Sequence, residues 1–260
     1  MSKSISKTRR DKLIRGNKSI LSFFKSTNES DKAITVKEAL KTLSGSDKTC
    51  GPLTDTEALT YENADTPFTV DAFRYGLITG CSGYFLTHFH SDHYIGLTSK
   101  FTGTIYCSEV TAKLLKNKFG QSLSIVDLPT DVFINVNGFD IFLLDANHCP
   151  GSVLILCRFP TGNVHLHTGD FRAQANMLKA PSPLAEFIFP KQRINTLYLD
   201  TTFCAPEFKF PPQESVIDAA IEISREALVT HPDALTLCGM YTIGKERFVL
   251  GMLSTYCLLF

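Results

Sequence analysis

Short apolar runs separated by Gly, Asn, Asp and Pro occupy the chain from Pro67 onwards, whereas the residues before Pro67 show no such pattern. Runs of about four to eight residues rich in Val, Ile, Phe and Tyr, bounded by turn formers, predict β-strands. The segments with this pattern are FTVDAF, GYFLT, TIYCS, FDIFLLDAN, SVLILCRF, NVHLHTG, TLYLDTT and ALTLCG. The region after Pro67 is therefore predicted to be rich in strands.

Two segments carry helix signals instead. The segment EVTAKLLKNKFG follows Ser108, a favourable N-cap, and ends with Gly120, a residue typical of the position just past a helix. The second is QESVIDAAIEISREALV, which follows two prolines and repeats its apolar residues at helical spacing. Strands with interspersed helices predict an α/β fold in which helices cover sheets.

The N-terminal residues differ from the rest in composition and charge. Residues 1–64 are rich in Lys, Ser, Thr and Asp, which predicts a disordered tail. The first 25 residues carry a net charge of +7, and the remainder carries −7. A basic tail ahead of an acidic body is common in proteins that bind nucleic acid. The alternative is a solvated tail without a partner, and the charge distribution alone supports the two interpretations equally.

Several classes of protein are disfavoured by the sequence. No run approaches the roughly 18–20 apolar residues that span a bilayer, and the polar, basic N-terminus does not resemble a secretory signal. The eight cysteines are scattered and form no C-x-x-C pair, which argues against a zinc finger and favours free thiols in a reducing compartment. We therefore expect a soluble intracellular protein that does not bind a membrane.

The segment YFLTHFHSDHYIG places four polar residues directly after an apolar run: His88, His90, Asp92 and His93. Imidazoles and carboxylates at this density suit a borderline metal such as zinc. His88 and His90 point the same way in an extended segment, whereas Asp92 and His93 diverge unless the chain turns. The cluster therefore offers ligands on two sides.

Two later strand ends supply the missing ligands. His148 follows FDIFLLDA, and Asp170 follows NVHLH. A carboxylate can bridge two ions about 3.5–4 Å apart, the spacing of two-metal hydrolytic sites. A single histidine is usually a surface or core residue, and we interpret His165, His167 and His231 in that way. Packing alone does not explain the clustered set.

These motifs resemble a known family. THFHSDH is similar to the H-x-H-x-D-H signature of the metallo-β-lactamase fold, and NHCPGS, TGDFR and FTVDAFRYG resemble its other motifs. LYLDTTFC and CGMYTIGKE narrow the resemblance to nucleases with a β-CASP insertion, in particular the DNA cross-link repair exonucleases. The resemblance covers about residues 66–250.

The resemblance implies an αββα sandwich followed by the start of a β-CASP domain, with DNA lying between them. The expected divisions are a disordered basic tail, a metallo-β-lactamase domain and a partial β-CASP domain, at residues 1–64, 65–202 and 203–260. Later β-CASP motifs that carry histidine are absent from the sequence. We therefore expect the nuclease activity of this chain to be weak.

The resemblance also implies roles for the clustered residues. One zinc would be held by His88, His90 and His148. A second zinc would be held by Asp92 and His93, with Asp170 bridging the two ions.

Other residues take supporting roles in the same resemblance. Asp71 would orient a ligand histidine. Asp200 is the acidic β-CASP residue beside the site, and with Asp92 and Asp170 it completes the expected catalytic residues. Lys245 and Arg247 would contact the DNA backbone, although surface cations are more often only solvated.

The tail contains a separate motif, RGNKSILSFFKS, in which Ile20, Phe23 and Phe24 share one face of a helical turn. The motif resembles the box that docks on the sliding clamp PCNA, with Asn17 in the place of its usual glutamine. The alternatives are an accidental amphipathic turn, or a turn that packs on the protein's own core.

Three functional hypotheses follow. The resemblance favours a nuclear, zinc-dependent exonuclease of DNA cross-link repair that digests 5′-phosphorylated strands from 5′ to 3′. An RNA-processing β-CASP nuclease shares the metal motifs. A catalytically impaired product that binds DNA or the clamp is the third. A lactam or thioester hydrolase is disfavoured, because such enzymes have no β-CASP segment.

Overall fold

The computed structural model describes residues 66–179, 182, 184–185 and 193–256, all within one compact unit, Ala64–Phe260. The predicted disordered tail and the PCNA-type motif at Asn17, Ile20, Phe23 and Phe24 lie outside these residues. No helix in the described part of the chain is long and apolar enough to cross a membrane.

Nine strands and three α-helices form the described region. The strands are β1 Phe68–Val70, β2 Gly83–Phe85, β3 Ile105–Ser108, β4 Ile125–Leu128, β5 Phe133–Val136, β6 Phe139–Asp145, β7 Val153–Arg158, β8 Val164–His167 and β9 Thr196–Tyr198. The helices are α1 Glu109–Phe119, α2 Gln213–Thr230 and α3 Glu246–Tyr256. Short 3-10 turns lie at Phe73–Tyr75 and Ala175–Leu178.

The strands form two sheets. The first has the order β1-β2-β3-β4, and all of its pairs are parallel. The second has the order β5-β6-β7-β8-β9 and is antiparallel, except that β8 and β9 run parallel. Connections between parallel strands must cross over, and α1 makes the crossover between β3 and β4.

Side-chain alternation along the strands divides the core into layers. Phe85 of β2 and Ile141 of β6 belong to the apolar cluster shared by the two sheets. Tyr84 of β2 packs on the opposite face in a cluster with Leu115 of α1. Phe142 of β6 packs on the outer face of the second sheet. The result is a helix layer on a two-sheet sandwich, which confirms the predicted mixed α/β class with two sheets.

The predicted helices are confirmed in detail. Ser108 caps α1, since its hydroxyl accepts a hydrogen bond from Thr111 N, and Gly120 follows the helix at φ 74°. The second predicted helix corresponds to α2. The packing of α3 against α2 is close, because a Cβ at Gly251 would lie 2.8 Å from Ile217 Cγ2.

The strand predictions need two corrections. ALTLCG is not a strand, and its Leu235 and Leu237 side chains are 81% and 84% exposed. None of the described strands pairs with this segment, so it is not part of either sheet. The predictions also missed β4 and β5, which are short and partly exposed, and α3, which begins at Glu246, the last residue of TIGKE.

Candidate metal centre

The candidate ligands follow strands whose carboxyl ends meet at one edge of the sandwich. Asp71 follows β1, and His88 and His90 follow β2, which runs parallel to β1. His148 follows β6 and Asp170 follows β8, and both strands run antiparallel to the β7 strand between them. The two sheets therefore deliver their polar residues to the same edge.

Three histidine nitrogens form the first cluster. His88 Nε2 lies 2.9 Å from His90 Nδ1, and His148 Nε2 lies 3.1 Å from the same atom. Tetrahedral coordination with metal–nitrogen bonds of 2.0–2.1 Å separates neighbouring ligand atoms by about 3.3 Å. The Cys149 thiol belongs to the same group, within 4.8 Å of the three nitrogens. This donor set and spacing fit a metal ion.

Asp170 connects this cluster to a second one. Its Oδ1 lies 3.4 Å from His93 Nε2, and its Oδ2 lies 3.6 Å from His148 Nε2. The ligand atoms of His88, His93 and Asp170 all lie within 4.8 Å of one another. One carboxylate therefore faces both histidine sets.

Asp92 takes a more peripheral position. Its Oδ2 lies 3.7 Å from His93 Nε2, and its side chain is 77% exposed. It does not belong to either cluster of potential ligand atoms among the described residues. Asp92 is placed at the mouth of the centre rather than within it.

A turn brings His93 back towards the strand-end histidines. His93 N donates to His90 O at 3.1 Å, so the chain reverses directly after the second histidine. Gly96 closes this turn at φ 88°, and a Cβ there would lie 2.6 Å from Arg74 Cα. Only glycine allows so close an approach. In an extended chain Asp92 and His93 would point apart, and this turn instead brings His93 back towards the strand-end histidines.

Contacts on the far side of two rings set which nitrogen faces the cluster. A carbonyl can only accept, so His90 Nε2 donates to Ile243 O at 3.1 Å and leaves Nδ1 for the cluster. His93 Nδ1 lies 2.7 Å from Asp71 Oδ2, which leaves Nε2 facing Asp170. Such contacts fix the ring orientation of metal-binding histidines.

Burial keeps two of the histidines neutral. The His88 side chain is fully buried, and burial together with the nearby His93, His148 and His90 rings lowers its pKa to about 2. Burial also lowers the pKa of His148. Metal binding requires neutral imidazole, so these two rings are in the binding form at neutral pH.

His93 and Asp170 form an ion pair, with His93 Nε2 3.4 Å from Asp170 Oδ1. Burial opposes charge on His93, but hydrogen bonds to Asp170 and Asp71 outweigh it and raise the pKa of His93 to about 10. The hydrogen bond from His93 in turn lowers the pKa of Asp170 to about 2. The two-carboxylate environment of His93 is therefore suited to a positive charge, whether a proton or a metal ion.

The remaining predicted residues do not belong to either cluster of potential ligand atoms among the described residues. Asp200 Oδ1 accepts from Thr202 N at 2.9 Å and from Thr202 Oγ1 at 2.6 Å, and the Asp200 N–H donates to Thr168 Oγ1 at 2.9 Å. Arg247 Nη2 lies 3.1 Å from Glu214 Oε1, which connects α3 to α2.

An open cleft of about 660 Å³ adjoins His148. Lys245 and Arg247 line it, together with Asn147 and the N-terminal residue of α1, Glu109. The Lys245 amino group lies 4.5 Å from the centroid of the Tyr241 ring. Both predicted cations therefore line the same cleft as His148 and Cys149, together with the carboxylates of Glu109 and Glu246.

Two contributors were missed from the sequence. Ile243 acts through a backbone carbonyl, which leaves no side-chain signal. Cys149 was not predicted because a single cysteine outside a C-x-x-C pair carries no metal signal of its own, although its position beside His148 in NHCPGS was informative.

Comparison with known proteins gives close relatives over most of the chain. The DNA cross-link repair 1A protein of Homo sapiens is 52% identical over 188 residues, which are 72% of this chain and 17% of that protein. The DNA cross-link repair protein SNM1 of Arabidopsis thaliana is 49% identical over 189 residues, 72% of this chain and 38% of that protein. The 5′ exonuclease Apollo of Gallus gallus is 33% identical over 199 residues, 72% of this chain and 39% of that protein.

The chain therefore spans between 17% and 39% of the length of these three relatives. No protein-family model matches it. Among solved structures, the metallo-beta-lactamase fold protein YhfI from Bacillus subtilis aligns at 15% identity over 38% of this chain and 44% of that chain. The TM-score of this alignment is 0.31.

Proposed function

This chain is a homologue of the DNA cross-link repair 1A and SNM1 proteins, and from that premise we propose that it is a metal-dependent DNA nuclease. The observation that carries the proposal is the convergence of three histidine nitrogens, 2.9 and 3.1 Å apart, beside a carboxylate that faces a fourth histidine. Hydrophobic packing does not require four histidines and a carboxylate to meet at one edge of the sandwich.

The proposed metal is zinc, held by the clustered histidines and aspartates. The first proposed set is His88, His90 and His148, which share one cluster, and the second proposed set is Asp92, His93 and Asp170. Nitrogen-rich sites favour zinc, and a second ion would use the more acidic set. Asp92 Oδ2 lies 3.7 Å from His93 Nε2 but outside both clusters, so its exposed side chain would need to turn inward to complete the second set.

Each protein group has a defined task in the proposed hydrolysis. When bound, the metal supplies Lewis-acid polarisation of the phosphodiester and activation of water. Asp170 presents an ionised carboxylate to both histidine sets and fixes their separation. Asp71 holds His93 from behind, and the carbonyl of Ile243 holds His90. Lys245 and Arg247 border the cleft where a phosphate backbone would lie.

The proposed substrate is a 5′-phosphorylated DNA strand, digested from 5′ to 3′ in the nucleus during cross-link repair. The support is the resemblance of the motifs and the names of the relatives, one of which is a 5′ exonuclease. Recruitment to PCNA through Asn17, Ile20, Phe23 and Phe24 stays a prediction about the tail.

One observation favours a second candidate, a catalytically impaired protein that still binds DNA. The Asp92 side chain is 77% exposed and lies outside both clusters, which leaves the second ligand set with two close members in the described region. A chain that holds only the first metal would bind a phosphate backbone without hydrolysing it efficiently.

A strand-specific assay tests the proposed function. The zinc-loaded chain is expected to shorten a 3′-labelled single-stranded DNA with a 5′-phosphate faster than the same strand with a 5′-hydroxyl. An RNA strand of the same sequence is the matched control, and the products are resolved on a denaturing gel. Preferred cleavage of the RNA would support an RNA-processing nuclease instead, and binding without cleavage would support the impaired candidate.

A further inference from the structure

We propose that Thr87 is a positioning residue, whose hydroxyl connects Asp71 to His88 and turns the His88 ring towards the metal. The inference rests on the proposed metal centre. Thr87 Oγ1 lies 2.7 Å from Asp71 Oδ2 and 3.0 Å from His88 Nδ1. The Thr87 side chain is fully buried, so no solvent competes for these two contacts.

The direction of the hydrogen bonds follows from what each group can do. A carboxylate only accepts, so the single hydroxyl proton of Thr87 is donated to Asp71. The Thr87 oxygen is then an acceptor, and the group opposite it, His88 Nδ1, must carry the donated proton. His88 Nε2 is left with a free lone pair, and it is the atom 2.9 Å from His90 Nδ1 in the first cluster.

The surroundings hold the Thr87 hydroxyl in place. Thr87 N donates to Asp71 Oδ1 at 2.9 Å, and Val153 N donates to Thr87 O at 3.1 Å. Gly169, at φ 52°, closes over the side chain, because a Cβ there would lie 2.9 Å from Thr87 Cβ. The residue therefore has fixed contacts on its backbone and on both sides of its side chain.

One carboxylate oxygen consequently serves both clusters. Asp71 Oδ2 lies 2.7 Å from His93 Nδ1 and 2.7 Å from Thr87 Oγ1. It orients His93 directly and His88 through the hydroxyl. The alternative role for Thr87 is only to donate a hydrogen bond to the buried Asp71 carboxylate. In that role the Thr87 hydroxyl would not affect how His88 binds metal.

The test compares zinc affinity in variants that differ by one hydroxyl. Thr87→Val keeps the volume and removes the hydroxyl, and we expect about 10- to 100-fold weaker zinc binding, the range found for groups that orient a ligand. Thr87→Ser restores the hydroxyl and should bind zinc within a few-fold of the wild type. Affinity is measured by competition with a chromophoric chelator, using the 260-residue chain.

Thr69→Val is the matched control, because Thr69 is also buried and its hydroxyl contacts Cys81 Sγ rather than a cluster residue. It should leave zinc affinity unchanged. A second measurement is independent of the variants: long-range nitrogen NMR of the zinc-loaded wild type should show the His88 ring proton on Nδ1.

The outcomes are distinct for the two levels of the proposal. Equal zinc affinity in wild type and folded Thr87→Val, or a His88 proton on Nε2, would overturn the role of Thr87 while leaving the metal centre intact. A wild-type chain that binds no zinc would remove the proposed metal centre, and this inference with it.

Discussion

Replacing His88 with alanine is expected to remove zinc from the first ligand set and to reduce DNA hydrolysis to the level of chelated wild-type protein. His88 is fully buried, and its Nε2 is within 2.9 Å of His90 Nδ1. No other side chain of the described clusters can take its position, because His148 and Cys149 already belong to the same group. Zinc per chain is measured by elemental analysis on gel-filtered protein.

His231→Ala is the matched control for the loss of an imidazole, since His231 is exposed at the end of α2. It should retain zinc and activity at wild-type levels. Circular dichroism of both variants separates loss of metal from loss of fold. Unchanged zinc content in folded His88→Ala would show that the first cluster does not hold the metal.

Replacing Asp170 with asparagine should reduce hydrolysis by more than about 100-fold, because a residue that only supports a ligand already contributes about 10- to 100-fold. The change keeps the shape of the side chain but removes the charge that faces His93 at 3.4 Å and His148 at 3.6 Å. We expect loss of the second ion with partial retention of the first. The measurements are zinc stoichiometry and initial rates on single-stranded DNA.

Asp131→Asn provides the control for loss of an aspartate charge in the cleft beside His148. Asp131 lines the cleft and has φ 62°, a conformation that asparagine also tolerates. Its zinc content and rate should match the wild type. If Asp170→Asn were as active as Asp131→Asn, Asp170 would not bridge the two ligand sets.

The proximity of the candidate ligands could be predicted because each carries its own chemistry and follows a strand. His88, His90 and His93 lie together after the end of one strand. His148 and Asp170 each follow an apolar strand that the sequence pattern predicted. Strands that end at the same edge of a sandwich place the residues that follow them close together, whatever the conformation of the loops. The helix signals at α1 succeeded for a similar reason, since caps act within a few residues.

The parts that could not be predicted depend on contacts that are distant in sequence. The hydrogen bond from His90 to the Ile243 carbonyl joins residues 153 positions apart and uses no side chain of Ile243. ALTLCG has the composition of a strand, but a strand also requires a neighbour, and composition does not report one. The exposure of Asp92 likewise depends on the turn that draws His93 inward.

The most direct test of the central claim is zinc restoration. The 260-residue chain is stripped with a chelator, and its rate on 5′-phosphorylated single-stranded DNA is followed as zinc is added back. The metal-centre proposal predicts no hydrolysis without zinc, and a rate that rises with bound zinc and stays absent in His88→Ala. Hydrolysis that persists in the metal-free chain, or zinc-loaded protein that leaves the strand intact, would contradict it.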